Sequence, residues 1–385
     1  MTDPLPSPLT YRAVTYRHNA TPPEVTTVSV DIFDTKRTST ALPLKDDSTM
    51  LIEVHAAALN PVDIVLMTAT PRIAGAWRKG VGRDFSGRVV RAGARVTAER
   101  GFRAGDSVMG MYALPLGNGT VAEYLHMNPF WHGSVTKFDP AKLSYEQAAA
   151  WPLAGGTAYM SVFDHVRIDG WTPAGGSHPD RAVLVLGAGT AVGRFVVQIA
   201  RAVLGVGAVV AVCSGASAAE LRELGATHTV DYTAVKPGQS YASDVRALGF
   251  KYDLIVDCVG GYDILSSPAA GTTIYDFIKP KAEGSAYVTL IGDAKGVYRS
   301  RPALVNVSWC KLRQLASRVG LVGYTYALIL TEPRRDWAQA FGEWLEAGKI
   351  RVDIDSVRDM AEIQAAIDHL ATNRARGKVV LRVRK

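Results

Sequence analysis

The chain has 385 residues, 48% hydrophobic and 21% charged, a globular balance that argues against disorder and suits roughly two or three domains. Its formal charge of +7 comes from 43 basic against 36 acidic residues scattered along the sequence, so it reads as a mildly basic protein that prefers anionic small molecules and not nucleic acid. Three cysteines, Cys213, Cys258 and Cys310, form no C-x-x-C pair, which excludes a disulfide framework and a four-cysteine zinc site and predicts a reducing, cytoplasmic compartment.

Met1 to Thr10, with Asp3, Pro4, Pro6 and Pro8, carries no secretory or import pattern, and no later run approaches the ~18 apolar residues of a membrane span. Between Tyr11 and Asp34 a loose alternation, V-T-T-V-S-V-D-I-F, predicts a half-exposed strand. After the polar stretch Thr35 to Thr49, M-L-I-E-V-H-A-A-A-L is a strong strand that ends at N-P-V-D. Pro61 stops the ladder and holds Asn60 extended at the strand end, where ligand groups are often displayed. Gly80 to Val96 and F-R-A-G-D-S-V-M-G alternate apolar and polar residues between glycines, which predicts short strands in a small, twisted, barrel-like domain. Ser144 and Gln147 make the capping box of a short helix, a second helix is expected over Gly156 to Val166, and Trp171 to Asp180 is a loop.

That loop leads into A-V-L-V-L-G-A-G-T-A-V-G, residues 182 to 193. Five apolar residues suit a strand covered on both faces, and R-F-V-V-Q-I-A-R-A-V-L continues with helical character. Gly187 can turn tightly out of the strand, Gly189 lets the backbone approach a pyrophosphate, and Gly193 allows close helix packing; Thr190, Ala191 and Val192 complete the turn. The spacing is G-x-G-x-x-x-G, one residue longer than the commonest dinucleotide fingerprint. Strand and helix then alternate, with strands expected at 208–213, 227–230, 252–257 and 286–291 and helices at 217–224 and 240–248, so one parallel sheet with right-handed crossovers follows. Thr272 to Lys281 adds a helix or loop. Gly323 to Leu330 is an apolar strand at the sheet edge and the candidate homodimer contact. Arg335 to Ala347 is an amphipathic helix that turns Trp337, Phe341, Trp344 and Leu345 inward, and A-R-G-K-V-V-L-R-V is a turn and a last strand.

Nine stretches in order give the chain a family resemblance, among them A-A-L-N-P-V-D at 57–63, G-R-D-F-S-G at 82–87, A-A-A-W-P-L-A-G-G-T-A at 148–158, the glycine loop, Y-D-L-I-V-D-C-V-G-G at 252–261 and A-R-G-K-V-V-L at 375–381. The chain resembles the medium-chain dehydrogenase/reductase superfamily, in its zinc-independent branch of quinone oxidoreductase-like and enoyl reductase-like proteins. The resemblance implies an α/β protein in which a β-rich GroES-like catalytic domain (1–155, completed by 331–385) is interrupted by a doubly wound Rossmann domain with a parallel sheet (156–330), the active site lying in the cleft between them. Where zinc alcohol dehydrogenases of the superfamily place a cysteine and a histidine–glutamate pair on the catalytic metal, this chain has Asn60, Arg83 and Asp84. Arginine cannot ligate zinc, so no metal is expected.

An NAD-preferring Rossmann unit ends its second strand in a carboxylate. Here that strand ends V-C-S-G, and Ser214 either donates to a 2′-phosphate, which favours NADPH, or caps a turn. By resemblance Tyr232, Arg374 and Lys378 lie near that phosphate, with Arg194 as a further cation. Thr157 and Gly156, together with Val259, Gly260, Ile291 and Gly292, look like the wall beside the nicotinamide. Without a metal, the chemistry expected is hydride transfer to an activated C=C bond or a quinone, from a small-molecule or carrier-bound unsaturated carbonyl substrate. Asn60 either donates its amide to the ligand or closes an Asx turn. The contrasting reading is an NADPH-binding sensor or scaffold with little turnover, since no proton donor stands out.

Overall fold

The computed structural model describes residues 8–30, 46–114, 117–292 and 303–384, so the end of the first expected strand and most of Thr35 to Thr49 lie outside the described residues. The chain divides into two compact units, one of residues 1–153, 332–346 and 352–385, the other of 154–331 and 347–351. Among the described residues no helix is long and apolar enough to cross a membrane.

In the first unit β1 (Leu9–Tyr16) and β2 (Glu24–Val30) form an antiparallel hairpin, Leu9 opposite Val30. β3 (Met50–Leu59) is buried along most of its length and stops at Asn60, after which Pro61 occupies the first position of α1 (Pro61–Ala69). Proline lacks an N–H that this position would not use, so the residue that ends the strand also begins a helix. β4 (Lys79–Gly80) pairs with β1, and β5 (Asp84–Ala92) pairs with β3. Strand character does not run on to Val96 as expected. Gly93 and Gly101 instead frame α2 (Ala94–Arg100), which buries only Val96 and carries an exposed Arg95–Glu99 pair at 2.8 Å. One buried side chain in two turns leaves little apolar period for a helix to be recognised by. β6 (Ser107–Tyr112), β7 (Tyr124–Met127) and β8 (Gly133–Lys137) follow; a Cβ at Gly110 would stand 2.2 Å from the Ser134 carbonyl oxygen, so only glycine allows β6 and β8 this close. α3 (Tyr145–Ala149) begins at the expected box, the Ser144 hydroxyl accepting from the Gln147 N–H at 3.2 Å.

α4 (Pro152–Phe163) starts one turn earlier than expected. In the second unit β9 (Ala182–Leu186), buried at all five positions, is followed by α5 (Ala191–Gln198), β10 (Ala208–Cys213), α6 (Ala218–Glu223), β11 (His228–Asp231), α7 (Ala242–Ala247) and β12 (Leu254–Asp257). A two-residue ladder, β13 (Ser266–Ser267) with β14 (Thr272–Thr273), leads into the segment expected as helix or loop, which carries a 3-10 turn at Ile274–Asp276. β15 (Ala286–Thr289), α8 (Ala303–Arg318) and β16 (Thr325–Leu328) complete the unit. The strands lie all parallel in the order β11-β10-β9-β12-β15-β16. That is the doubly wound 3-2-1-4-5-6 order of a Rossmann sheet, with its switch point between β9 and β12. Among the described residues β16 pairs only with β15 and is the edge, as expected.

The chain returns to the first unit with α9 (Arg335–Glu346), whose Trp337, Phe341, Trp344 and Leu345 are buried and whose Phe341 ring stacks on Trp151 at 4.8 Å. β17 (Ile354–Asp359), α10 (Ile363–Ala371) and β18 (Lys378–Arg382) close it. Its main sheet runs β17-β18-β3-β5-β6-β8, with β7 also on β3. The protein is thus an α/β chain with a β-rich GroES-like part and a Rossmann part.

Candidate functional site

The second unit carries a loop built for an anion. Gly187 has φ +72°, and a Cβ there would lie 2.3 Å from Val259 Cγ1, so both conformation and space demand glycine. At Gly193 a Cβ would meet the Gly187 oxygen at 2.6 Å, which brings α5 against the turn. Gly189 is less confined: a Cβ there would meet only the Ser217 side chain, at 3.3 Å, a close contact but with no backbone in the way. The N–H groups of Gly187 and Ala188 both donate to the Val212 oxygen at 3.0 Å, and Thr190 caps α5 by accepting from Gly193 at 3.1 Å. Among the described residues Gly189, Ala191 and Val192 have no protein acceptor for their N–H groups. Half-buried and at the positive end of a helix, these three amides suit a diphosphate.

The Val259–Gly260 turn is held by Asp257, which the sequence reading missed. One carboxylate oxygen accepts from both turn amides, at 3.0 and 2.8 Å, and the other accepts the Tyr287 hydroxyl at 2.9 Å. A lone carboxylate closing an apolar strand was the only signal. Gly292, at φ +94°, donates to the Thr289 hydroxyl at 3.1 Å beside Ile291, and the buried Thr157 hydroxyl bonds that of Thr331. At the end of β10 the half-buried Ser214 hydroxyl lies 3.3 Å from that of Ser217, and Tyr232, half exposed, follows β11. Asp231 stands there too. Thr233 donates to its carboxylate at 2.8 and 2.6 Å, which with the Gly215 amide keeps it below the usual carboxylate range. Arg194 corrects an expectation, because it is buried and holds Glu220 through two nitrogens at 3.0 Å, no longer free for a phosphate.

The first unit holds a different kind of site. Asn60, Asp63, Arg83, Asp84 and Lys378 are all buried at the ends of β3, β5 and β18. The Lys378 ammonium donates to Asn60 Oδ1 at 2.5 Å and to Asp84 Oδ2 at 2.9 Å. That carboxylate oxygen also accepts from the Asn60 amide at 2.9 Å, while Oδ1 accepts the Leu153 N–H at 2.7 Å, in the first turn of α4. Asp63 accepts the Asn60 N–H at 2.8 Å and lies 3.9 Å from Arg83, yet burial still pushes its carboxyl up to about 6.

This arrangement corrects one expectation. Lys378 is not a cation waiting for a phosphate, since its charge is neutralised by Asp84 inside the first unit. Asn60 accepts from Lys378 through Oδ1, donates to Asp84 through its amide nitrogen, and shares a capping box with Asp63 at the start of α1, in keeping with the turn-closing alternative. Arg374 lies exposed in the turn after α10, also in the first unit. Among the described residues no three His, Cys, Asp or Glu side chains group together as a metal site.

A sequence model of the alcohol dehydrogenase GroES-like domain matches residues 46–136, and one of the zinc-binding dehydrogenases matches residues 224–381. Protein YIM1 of Vanderwaltozyma polyspora is 33% identical, covering 97% of this chain and 99% of its own length. Protein YIM1 of Saccharomyces cerevisiae strain YJM789 is 32% identical, covering 98% and 99%. Among solved structures, the quinone oxidoreductase from Coxiella burnetii aligns with a TM-score of 0.69 at 23% identity, over 97% of this chain and 100% of that one. An alcohol dehydrogenase superfamily protein from Novosphingobium aromaticivorans gives 0.67 at 22%, over 97% and 100%. These two likenesses are of fold. Proteins of this kind are oxidoreductases that bind nicotinamide cofactors. The chain belongs to the medium-chain dehydrogenase/reductase superfamily.

Proposed function

We propose that the protein is an NADPH-dependent, zinc-independent reductase acting on a C=C bond conjugated to a carbonyl, or on a quinone. One observation carries the reading: the Lys378 ammonium lies buried between Asp84 and Asn60, at the positions that the resemblance gives to metal ligands. Zinc needs three protein donors and an open position. An asparagine engaged by a lysine, an arginine, and a carboxylate that already accepts three hydrogen bonds do not fit that ion.

A bound nicotinamide nucleotide supplies a hydride to an electrophilic carbon. The residues of this chain bind and orient it: the Gly189, Ala191 and Val192 amides for the diphosphate, the Ser214 hydroxyl and Tyr232 for the 2′-phosphate, and Thr157, Val259, Gly260, Ile291 and Gly292 for the nicotinamide. An acceptor whose developing charge sits on an enolate or phenolate oxygen suits a site that offers hydrogen bonds in place of a Lewis acid.

Asp231 favours a second reading. Its carboxylate packs against Gly215, where a Cβ would be 2.4 Å from Oδ2, and an anion there favours the ribose diol of NADH over a 2′-phosphate. Oxidation of NADPH and NADH, each with a panel of enones and quinones, tests both readings. Faster turnover with NADPH and an enone or quinone is expected. Preference for NADH would assign the cofactor by Asp231, and tight NADPH binding with no turnover on any acceptor would favour the sensor. A homodimer through the β16 edge belongs to the same proposal, supported by the exposed Trp309, Leu312 and Leu315 of α8 and Val319 just after it.

A further inference from the structure

The first unit contains a cavity of about 270 Å³ that shares no residue with the Asn60 cluster. Four cations line it. Two are neutralised, Lys137 by Asp106 at 2.7 Å and Arg334 by Asp336 at 2.5 Å. The other two, Arg100 at the end of α2 and Arg335 at the start of α9, have no carboxylate partner among the described residues. Glu99, the acidic neighbour of Arg100, is taken by Arg95 at 2.8 Å. Burial first, and then the like charge of Arg335, hold the Arg100 guanidinium below its usual value, so two uncompensated cations face one another.

A second observation points to a ligand independently. Ser134, 2% exposed and on the cavity wall, has a buried hydroxyl with no hydrogen-bond partner among the described residues. An unmet buried hydroxyl costs about 1–3 kcal/mol unless something satisfies it. The remaining wall includes Phe102 and Phe130, and the Arg95 and Arg100 guanidiniums both lie over the Phe130 ring, at 4.5 and 4.8 Å.

We propose that this cavity is a phosphate-ester site, in which a dianionic phosphate bridges Arg100 and Arg335, accepts the Ser134 hydroxyl, and leaves its organic part against Phe102 and Phe130. Charge favours phosphate over carboxylate: two free guanidiniums match a dianion, whereas a carboxylate would leave one of them unbalanced. Arginine's planar fork also suits phosphate oxygens.

Titration of the full-length protein with phenyl phosphate, followed by ³¹P line broadening and calorimetry, tests this, with inorganic phosphate, benzoate and sodium sulfate as competitors. Saturable binding is expected, displaced by inorganic phosphate better than by benzoate, and weakening as pH falls through about 6, where a phosphate ester becomes a monoanion. Arg100→Gln with Arg335→Gln should weaken it by roughly tenfold or more, and Ser134→Ala by a few-fold, in proteins whose melting temperature is retained. Gly189→Val should leave it intact. Loss of binding in Gly189→Val with retention in the arginine double variant would assign the phosphate to the glycine loop and overturn the proposal. So would the absence of saturable binding to the wild-type protein, or equal competition by every anion. If the double variant does not fold, an unchanged affinity in Ser134→Ala overturns it as well.

Discussion

Two places in this molecule correspond to the chemistry of its family, and they are built in opposite ways. The glycine loop of the second unit is open: among the described residues three of its amides lack protein acceptors, and only the Ser217 side chain stands close to Gly189. In the cluster of the first unit the Asp84–Lys378 pair is closed, because Asp84 receives hydrogen bonds from Asn60, Lys378 and the Leu153 amide, while only Asp63 Oδ1 nearby lacks a hydrogen-bond partner among the described residues of the cluster. Unmet donors at a helix terminus wait for a ligand, whereas a buried ion pair with its lone pairs filled is complete without one. The contrast is between backbone donors left open at a helix start and a lysine–carboxylate pair whose partners lie within the protein.

The largest expected effect comes from breaking the closed site. Lys378→Met would leave Asp84 buried without its counter-charge and should cost about 3–5 kcal/mol in urea unfolding; a cost under 1 kcal/mol would mean that the pair is not a structural replacement for anything. Closing the open site should act on binding instead. In Gly189→Val the branched side chain fills the space left for a diphosphate, so affinity for nicotinamide nucleotides should fall about a hundredfold, near 3 kcal/mol by calorimetry, with the melting temperature little changed.

Asp63 gives a pH test of the cluster. Its carboxyl is raised from 3.8 to about 6, so below about pH 4 it is protonated folded or unfolded and contributes nothing. As pH rises from 4 to 6 the unfolded chain ionises first and the folded state loses stability, reaching a full cost of about 2–3 kcal/mol. Asp63→Asn keeps an acceptor for the Asn60 N–H and removes that titration. Its unfolding free energy relative to wild type should therefore grow between pH 4 and 7, and a flat difference would show that Arg83 balances the buried charge. The smallest effect is expected at Ser214→Asp, where a second carboxylate beside Asp231 should shift the NADPH-to-NADH affinity ratio by about tenfold towards NADH.

Much of the Rossmann half was legible, because Ala182 to Leu186 and Ala208 to Cys213 are buried on both faces and read as unbroken apolar runs between glycines. The helices that escaped did so for separate reasons. α8 was missed because Trp309, Leu312 and Leu315 lie on an exposed face, so its apolar residues do not mark the core side. In α10 the signal was present, with Ile363, Ala366, Ile367 and Leu370 all buried at helical spacing. Of the site, backbone-defined parts could be read from glycines, whereas the Lys378 pairing could not. It joins residues 318 positions apart through side chains, and spacing carries no trace of that. Asp84 was seen only as the neighbour of Arg83 at the position of a metal ligand, not as the partner of a lysine.

The most direct test of the account is NADPH turnover with the best enone or quinone acceptor before and after exhaustive chelation, with zinc measured in the same samples. The account predicts unchanged turnover and no stoichiometric zinc, because the Lys378 ammonium is held between Asn60 and Asp84. One zinc per chain whose removal abolishes turnover would contradict it.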